Sequence, residues 1–268
     1  MLKSLFAFVI WERISENAQK QFSYCFSRVF ALKISRFLVF PYCIICGFDT
    51  DYLEKFEPES KSNRYASYSD FFGRRLKEIP KSDSAYVWPC EGYVCDWGSF
   101  ASKRNSVIKG QRMDLNDIFA TQSNETKNSF FTNIFLHNHN YHRVHSPVNG
   151  EVRQILRIEG ELLFLRPWLY RRIDVSYPAL KNERVIVKIE DEQKRNWYVA
   201  MVGGFGVGTI ETSAGLQVGS HLKKGQELGF FKLGSTVCMA SPVKFENLNY
   251  LKTVSAVAPI DTVAELET

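Results

Sequence analysis

Four of the five histidines, His137, His139, His142 and His145, fall within nine residues, and His221 stands apart. Histidine takes and gives a proton near neutral pH, so the cluster suits general acid–base chemistry. On a strand His137 and His139 would share a face and could ligate zinc. No cysteine lies in the cluster, however, and no carboxylate follows before Glu151. Acid–base work is therefore the preferred reading, with no metal. Gly203-Gly204-Phe205-Gly206-Val207-Gly208 invites a nucleotide reading. Its spacing is not GxGxxG, and no helical pattern follows to offer an N-terminus to phosphate. It reads as close packing at a turn between strands, a turn that can also border a site. Leu233-Gly234-Ser235-Thr236 places a hydroxyl nucleophile behind a glycine, a pairing that means nothing by itself.

The elements that must position these residues are mostly strands. From about Tyr86 onward, short β-branched and aromatic runs alternate with turns: Phe130–Leu136, Glu151–Ile158, Glu161–Leu165, Arg184–Ile189, Trp197–Val202, Val207–Glu211, Glu227–Lys232 and Thr236–Ala240. Asn149-Gly150, Glu159-Gly160 and Lys224-Gly225 mark turns, and no helix of crossover length alternates with the runs, which argues against a parallel sheet. Phe71-Phe72-Gly73-Arg74-Arg75-Leu76-Lys77 reads as a short helical piece ending before Pro80. The expected class is α+β: a mostly antiparallel, barrel-like domain over residues 49–268, preceded by amphipathic helices over residues 1–48.

Within that N-terminal segment Phe22, Phe26, Val29, Phe30, Ile34 and Phe37 recur at helical spacing, with Arg28, Lys33 and Arg36 on other turns. The apolar runs Leu5–Trp11 and Leu38–Phe48 are shorter than the roughly 20 residues that span a bilayer. The segment can lie in a membrane interface or cover the core, and the two are compatible. Across the chain 45% of residues are apolar and 14% aromatic, enough for a sizeable core, and Lys and Arg outnumber Asp and Glu by 34 to 29. That modest excess contains no basic run dense enough for nucleic acid. Cysteines 25, 43, 46, 90, 95 and 238 occur without a recognisable signal peptide and read as reduced, buried structural thiols on a cytosol-facing protein.

Taken together the motifs resemble the pyruvoyl-dependent phosphatidylserine decarboxylases. The pieces that carry the resemblance run in family order: Phe71-Phe72 with Arg74 and Leu76-Lys77; Ile108-Lys109-Gly110-Gln111; Tyr141-His142-Arg143-Val144-His145-Ser146-Pro147 with Asn149-Gly150; Asn182-Glu183-Arg184-Val185; Val202-Gly203 leading to Val207-Gly208-Thr209-Ile210; and Lys224-Gly225 through Leu233-Gly234-Ser235-Thr236-Val237. The resemblance implies a proenzyme in which the Ser235 hydroxyl attacks the Gly234 carbonyl. Elimination and hydrolysis then leave a pyruvoyl group where Ser235 stood. Fragments 1–234 and 235–268 would form a heterodimer. It also implies that His145 acts as base on Ser235, that His142 handles the substrate or its proton, and that the pyruvoyl ketone forms a Schiff base with the amine of phosphatidylserine before carbon dioxide departs, giving phosphatidylethanolamine. A peripheral position on the cytoplasmic face of the membrane follows from the lipid substrate and the amphipathic N-terminus.

The chain departs from the family pattern in two places. Glu91, in Pro89-Cys90-Glu91-Gly92, stands where the family has the aspartate of its self-cleavage triad, and Asn138 and Asn140 stand where a proline and an aspartate are usual. Glu91 is expected to orient His145 with a longer arm, and slow maturation would follow from a carboxylate misplaced by about 1 Å. Two alternatives accompany this reading: a pyruvoyl enzyme acting on another amino acid or serine lipid, and a non-cleaving pseudoenzyme.

Overall fold

Alternate residues of the central strands feed two separate clusters of buried side chains, and this parity fixes the architecture. Trp197, Val199, Met201, Val237 and Met239 pack into one cluster, while Tyr198, Ala200, Val202, Cys238 and Ala240 pack into the other. The result is a sheet coated on both faces. In this computed structural model the described residues are 11–103, 106–108, 111–206, 210–232, 234–245, 248–258 and 263–264. Of the motif residues, Lys109, Gly110, Val207, Gly208, Thr209 and Leu233 lie outside them, as does most of the Leu5–Trp11 run.

The strands that matter to the site are β1 (Gly92–Ser99), β2 (Phe130–Leu136), β3 (Arg143–His145), β4 (Gly150–Ile158), β5 (Arg184–Asp191), β6 (Asn196–Gly203), β7 (Ile210–Thr212), β8 (His221–Leu222), β9 (Glu227–Phe231), β10 (Ser235–Ser241) and β11 (Lys252–Val254). Eight of them form one sheet in the order β8-β4-β5-β6-β10-β2-β1-β11, every neighbouring pair antiparallel. A second antiparallel sheet, β7-β9-β3, contributes Ile210, Leu228, Phe231 and Val144 to the first cluster. The α+β class and the antiparallel pairing therefore stand as expected. The barrel-like closure does not: the large sheet is open and ends in two very short edge strands, β8 and β11, which do not pair with each other.

Glu161–Leu165 is not a strand. Side-chain amides take the place of a ladder there: Leu162 N–H donates to Gln19 Oε1 and Leu163 N–H to Asn182 Oδ1, leaving only an isolated bridge between Glu161 and Asn182. Likewise Phe71–Lys77 is divided. A helix over Tyr68–Phe72, capped by Ser67, stops at Gly73, and Arg75–Leu76 pairs with Phe56–Glu57 as a strand. All six cysteines are free; Cys90, Cys95 and Cys238 are buried as expected, whereas Cys43 and Cys46 are half-buried and Cys25 is exposed.

The N-terminal helices, α1 (Glu16–Ala31), a 3₁₀ stretch (Lys33–Leu38) and α2 (Val39–Cys46), form as the periodicity predicts, but their amphipathicity faces the unusual way. Gln19, Ser23, Ser27 and Ser35 are the buried residues, while Phe22, Val29, Ile34 and Phe37 face out. The polar face finds partners that make burial tolerable. Gln19 donates to the Trp11 and Ile14 carbonyls, Ser23 Oγ accepts from Gly206 N–H at 3.3 Å, and Trp11 Nε1 donates to the Leu162 carbonyl at 2.8 Å. Phe26 and Phe30 are half-buried against Phe205 and Tyr68. Among the described residues no single helix is long and apolar enough to cross a membrane; α1 meets the following helical stretch at 78°.

Candidate active site

Ser235 opens β10, the strand between β6 and β2, and is registered with Gly203 on one side and Leu136 on the other. Strand parity carries it onto the face that holds Val237 and Met239. It is fully buried, and its Oγ has no hydrogen-bond partner among the described residues. An unsatisfied buried hydroxyl costs on the order of 1–3 kcal/mol, a cost more readily kept where the group has work to do. The preceding Gly234 has φ +26°, a conformation that side chains disfavour. Gly234 and Ser235 border a cavity of about 190 Å³. Its other walls include Phe26 of α1, Asn138, Arg166 and the Gly204–Gly206 turn. That turn has both roles the sequence allowed. A Cβ on Gly204 would lie 2.5 Å from Leu165 Cδ1, so glycine permits close packing, and the same turn lines the cavity.

The histidine strand reaches this region through β9. Arg143 to His145 pair with β9, and Phe231 N–H, at the end of β9, donates to the His142 carbonyl at 3.1 Å. Only residues 232–234 separate Phe231 from Ser235. His142 is fully buried under Phe72, their ring centroids 3.9 Å apart. Its Nδ1 lies 2.8 Å from the Asn140 carbonyl; since a carbonyl only accepts, Nδ1 carries the proton and Nε2 is a bare lone pair. That Nε2 has no partner among the described residues. Burial, then the Arg74 charge, holds the His142 pKa well below the usual histidine range.

His145 is buried as well, but both ring nitrogens are engaged. Nδ1 donates to the Gly225 carbonyl at 2.7 Å, and Nε2 accepts from the Tyr141 phenol at 3.0 Å. Burial lowers its pKa to about 4, so the ring is neutral at physiological pH. Neither nitrogen reaches Glu91. The Glu91 carboxylate instead accepts from Tyr52 Oη at 2.9 and 3.0 Å and from Asn140 Nδ2 at 2.7 Å. The expected pairing of Glu91 with His145 is thus corrected: Glu91 holds the turn between β2 and β3. Arg74 closes that turn by donating to the His139 and Asn140 carbonyls and to Tyr52 Oη. His137 and His139 sit on it with their Nδ1 atoms 2.9 Å apart, and Tyr93 Oη lies 3.2 Å from His139 Nε2.

The model of the family described as phosphatidylserine decarboxylase matches residues 68–257, a span holding Glu91, His142, His145, Gly234 and Ser235. The chain belongs to the phosphatidylserine decarboxylase family. It is 30% identical over 213 residues to the phosphatidylserine decarboxylase proenzyme of Chromobacterium violaceum, covering 70% of this chain and 75% of that protein. To the phosphatidylserine decarboxylase proenzyme of Actinobacillus pleuropneumoniae serotype 3 it is 31% identical over 234 residues, 76% of this chain and 78% of that protein. To that of Bordetella pertussis it is 31% identical over 221 residues, 73% of each. The motif resemblance and the family assignment agree. What sequence reasoning missed are the neighbours: Tyr52 on Glu91, Tyr141 on His145, and Phe26 and Arg166 at the cavity. Tyr141 and His145 lie four residues apart in one quoted motif, but their spacing does not announce the bond between them, whereas Arg74 meets partners far away in the chain; Phe26 was legible only as part of the helical stripe, and Arg166 carried no local signal.

Proposed function

We propose that this chain is a phosphatidylserine decarboxylase proenzyme that cuts itself between Gly234 and Ser235. The observation that carries the reading is the buried Ser235 hydroxyl, without a partner, directly behind a left-handed glycine and beside a small cavity. In the first step Ser235 Oγ bonds to the Gly234 carbonyl carbon, the Gly234–Ser235 C–N bond breaks, and the Ser235 nitrogen becomes an amine. Removal of the Cα proton then breaks the Cβ–Oγ bond, releasing the Gly234 carboxylate. Hydrolysis of the remaining enamine frees ammonia and leaves the pyruvoyl end. That group supplies the electron-withdrawing carbonyl on which loss of carbon dioxide from the serine head depends.

The chain's own residues take defined parts. His142 Nε2 is a bare lone pair that can take a proton in transit, although burial and the Arg74 charge make it a weak base. His145, clamped between Tyr141 and Gly225, keeps β3 aligned with β9 and acts on Ser235 only by releasing or working through Tyr141. The central position of β10 supports a heterodimer of 1–234 and 235–268, because both ladders of that strand survive the cut. The outward apolar face of the N-terminal helices, with exposed Arg28, Lys33 and Arg36 nearby, supports binding to a phospholipid surface, which in this proposal is the cytoplasmic face of the membrane.

A non-cleaving protein is the second reading, and the engagement of Glu91 with Tyr52 and Asn140 rather than His145 favours it. Intact-mass spectrometry of the purified protein decides between them. The expected result is fragments 1–234 and 235–268, the latter blocked by a pyruvoyl group, with one uncut inactive chain for Ser235→Ala. An uncut chain in the unsubstituted protein would establish the second reading.

A further inference from the structure

Among the residues around the Ser235 cavity, Phe26, Phe135, Phe164, Leu165 and Phe205 are apolar, and one is a permanent cation, Arg166. Arg166 is half-buried. Its guanidinium lies 5.7 Å from the Trp168 ring, and among the described residues it forms no ion pair or side-chain hydrogen bond. The backbone around it is fixed: Leu165 before it is buried, and Pro167 after it begins a short helix. A cation at an apolar wall, with its donor fork unspent, is suited to an anion that arrives with the substrate.

We propose that Arg166 is the specificity residue that receives the phosphodiester of the lipid substrate. The inference rests on the decarboxylase reading above. The substrate head brings two anions, the serine carboxylate and the phosphodiester, and the reaction distinguishes them. The carboxylate leaves as neutral carbon dioxide, so an arginine bonded to it would stabilise the ground state more than the transition state and slow the reaction. The phosphodiester keeps its charge throughout, so binding it holds the head in place without opposing the chemistry. The aromatic and aliphatic walls leave the carboxylate poorly solvated, which favours its loss. Arg166 also contributes to the low pKa of His137, which burial, His139 and Arg166 together push down to about 4. The neighbouring imidazole is therefore neutral and does not compete as a second cation.

The test compares Arg166→Gln and Arg166→Lys with the unsubstituted enzyme, each first shown by intact mass to be cut at Ser235. Two substrates are presented in the same detergent micelles: phosphatidylserine, and a long-chain O-alkyl ether of serine that lacks the phosphodiester. Arg166→Gln is expected to lower kcat/KM for phosphatidylserine by roughly tenfold to a hundredfold, mainly through KM, as loss of a charge-assisted bond would. Arg166→Lys should recover part of that loss. The ether should be affected by less than about twofold, read as an inhibition constant where its turnover is too slow. Equal losses on both compounds, or no loss on phosphatidylserine, would overturn the assignment. Failure of the unsubstituted, cut enzyme to act on phosphatidylserine would instead remove the reading beneath it.

Discussion

The Tyr141 phenol donates to His145 Nε2 at 3.0 Å, so a neutral imidazole is held at both ends inside the protein. This arrangement makes stability depend on pH in a defined window. The unfolded imidazole takes up its proton below about pH 6.5, the folded one only near pH 4. Between those values the unfolded chain binds more protons, and stability falls as pH falls. The buried His142 acts in the same direction. On an uncut Ser235→Ala background, His145 alone should account for about 3 kcal/mol of stability lost between pH 6.5 and 4. Urea midpoints across that range should show a shallower slope for His145→Gln. An unchanged slope would mean that His145 is not buried neutral.

Glu91 touches Tyr52 and Asn140 and does not touch His145. Double-mutant cycles on the same uncut background separate the two arrangements. Glu91→Ala with Asn140→Ala should show a coupling of about 1.5–3 kcal/mol in unfolding free energy, the size of a hydrogen bond to a charged group. Glu91→Ala with His145→Gln should be additive within about 0.5 kcal/mol. A coupling confined to Glu91 and His145 would return Glu91 to the role of orienting carboxylate.

The contrast between these two residues shows what was legible beforehand. Strands such as Phe130–Leu136 announce themselves because side-chain alternation is a local property, and Gly234-Ser235 gains its meaning from motifs in fixed order. Which carboxylate meets which imidazole is different. Glu91 lies at the start of β1, and its partners come from the Thr50–Leu53 helix and the turn after β2, a geometry set by a register that no spacing encodes. The inverted helix is a related case. Periodicity identified the apolar stripe of α1 but not its direction, because Gln19 and Ser23 find buried backbone partners that only the folded protein supplies. The barrel expectation failed for the same reason: whether the first and last strands meet is a non-local fact.

Gly234→Ala tests the strained backbone behind the nucleophile. At φ +26° an alanine is disfavoured, and its Cβ would stand 3.4 Å from the Phe205 carbonyl oxygen. Relief of that strain would rotate the Gly234 carbonyl away from the Ser235 hydroxyl. A stability loss of about 1 kcal/mol and a slowing of cleavage of about tenfold are expected. The time course of the 235–268 fragment by mass spectrometry measures the second effect, and cleavage at the unsubstituted rate would show that this conformation plays no part in the cut.

The exposed face of the N-terminal helices makes the last prediction. Phe40 and Ile45 are 74% and 83% exposed, far beyond what solubility favours for residues of this size, and Ile34, Phe37 and Ile44 of the same helical stretch are exposed as well. Because they already face out, replacing them removes nothing from the core, so Phe40→Ser and Ile45→Ser should leave the unfolding midpoint unchanged. Each should weaken binding to vesicles containing phosphatidylserine by roughly tenfold, the free energy of burying one such side chain in the interface being about 1.5–3 kcal/mol when complete. Co-sedimentation at low and high salt separates this apolar contribution from that of Arg28, Lys33 and Arg36, because only the charged part is screened. Retained binding in the double variant would place the membrane contact elsewhere. Loss of stability would mean instead that the face is covered by protein.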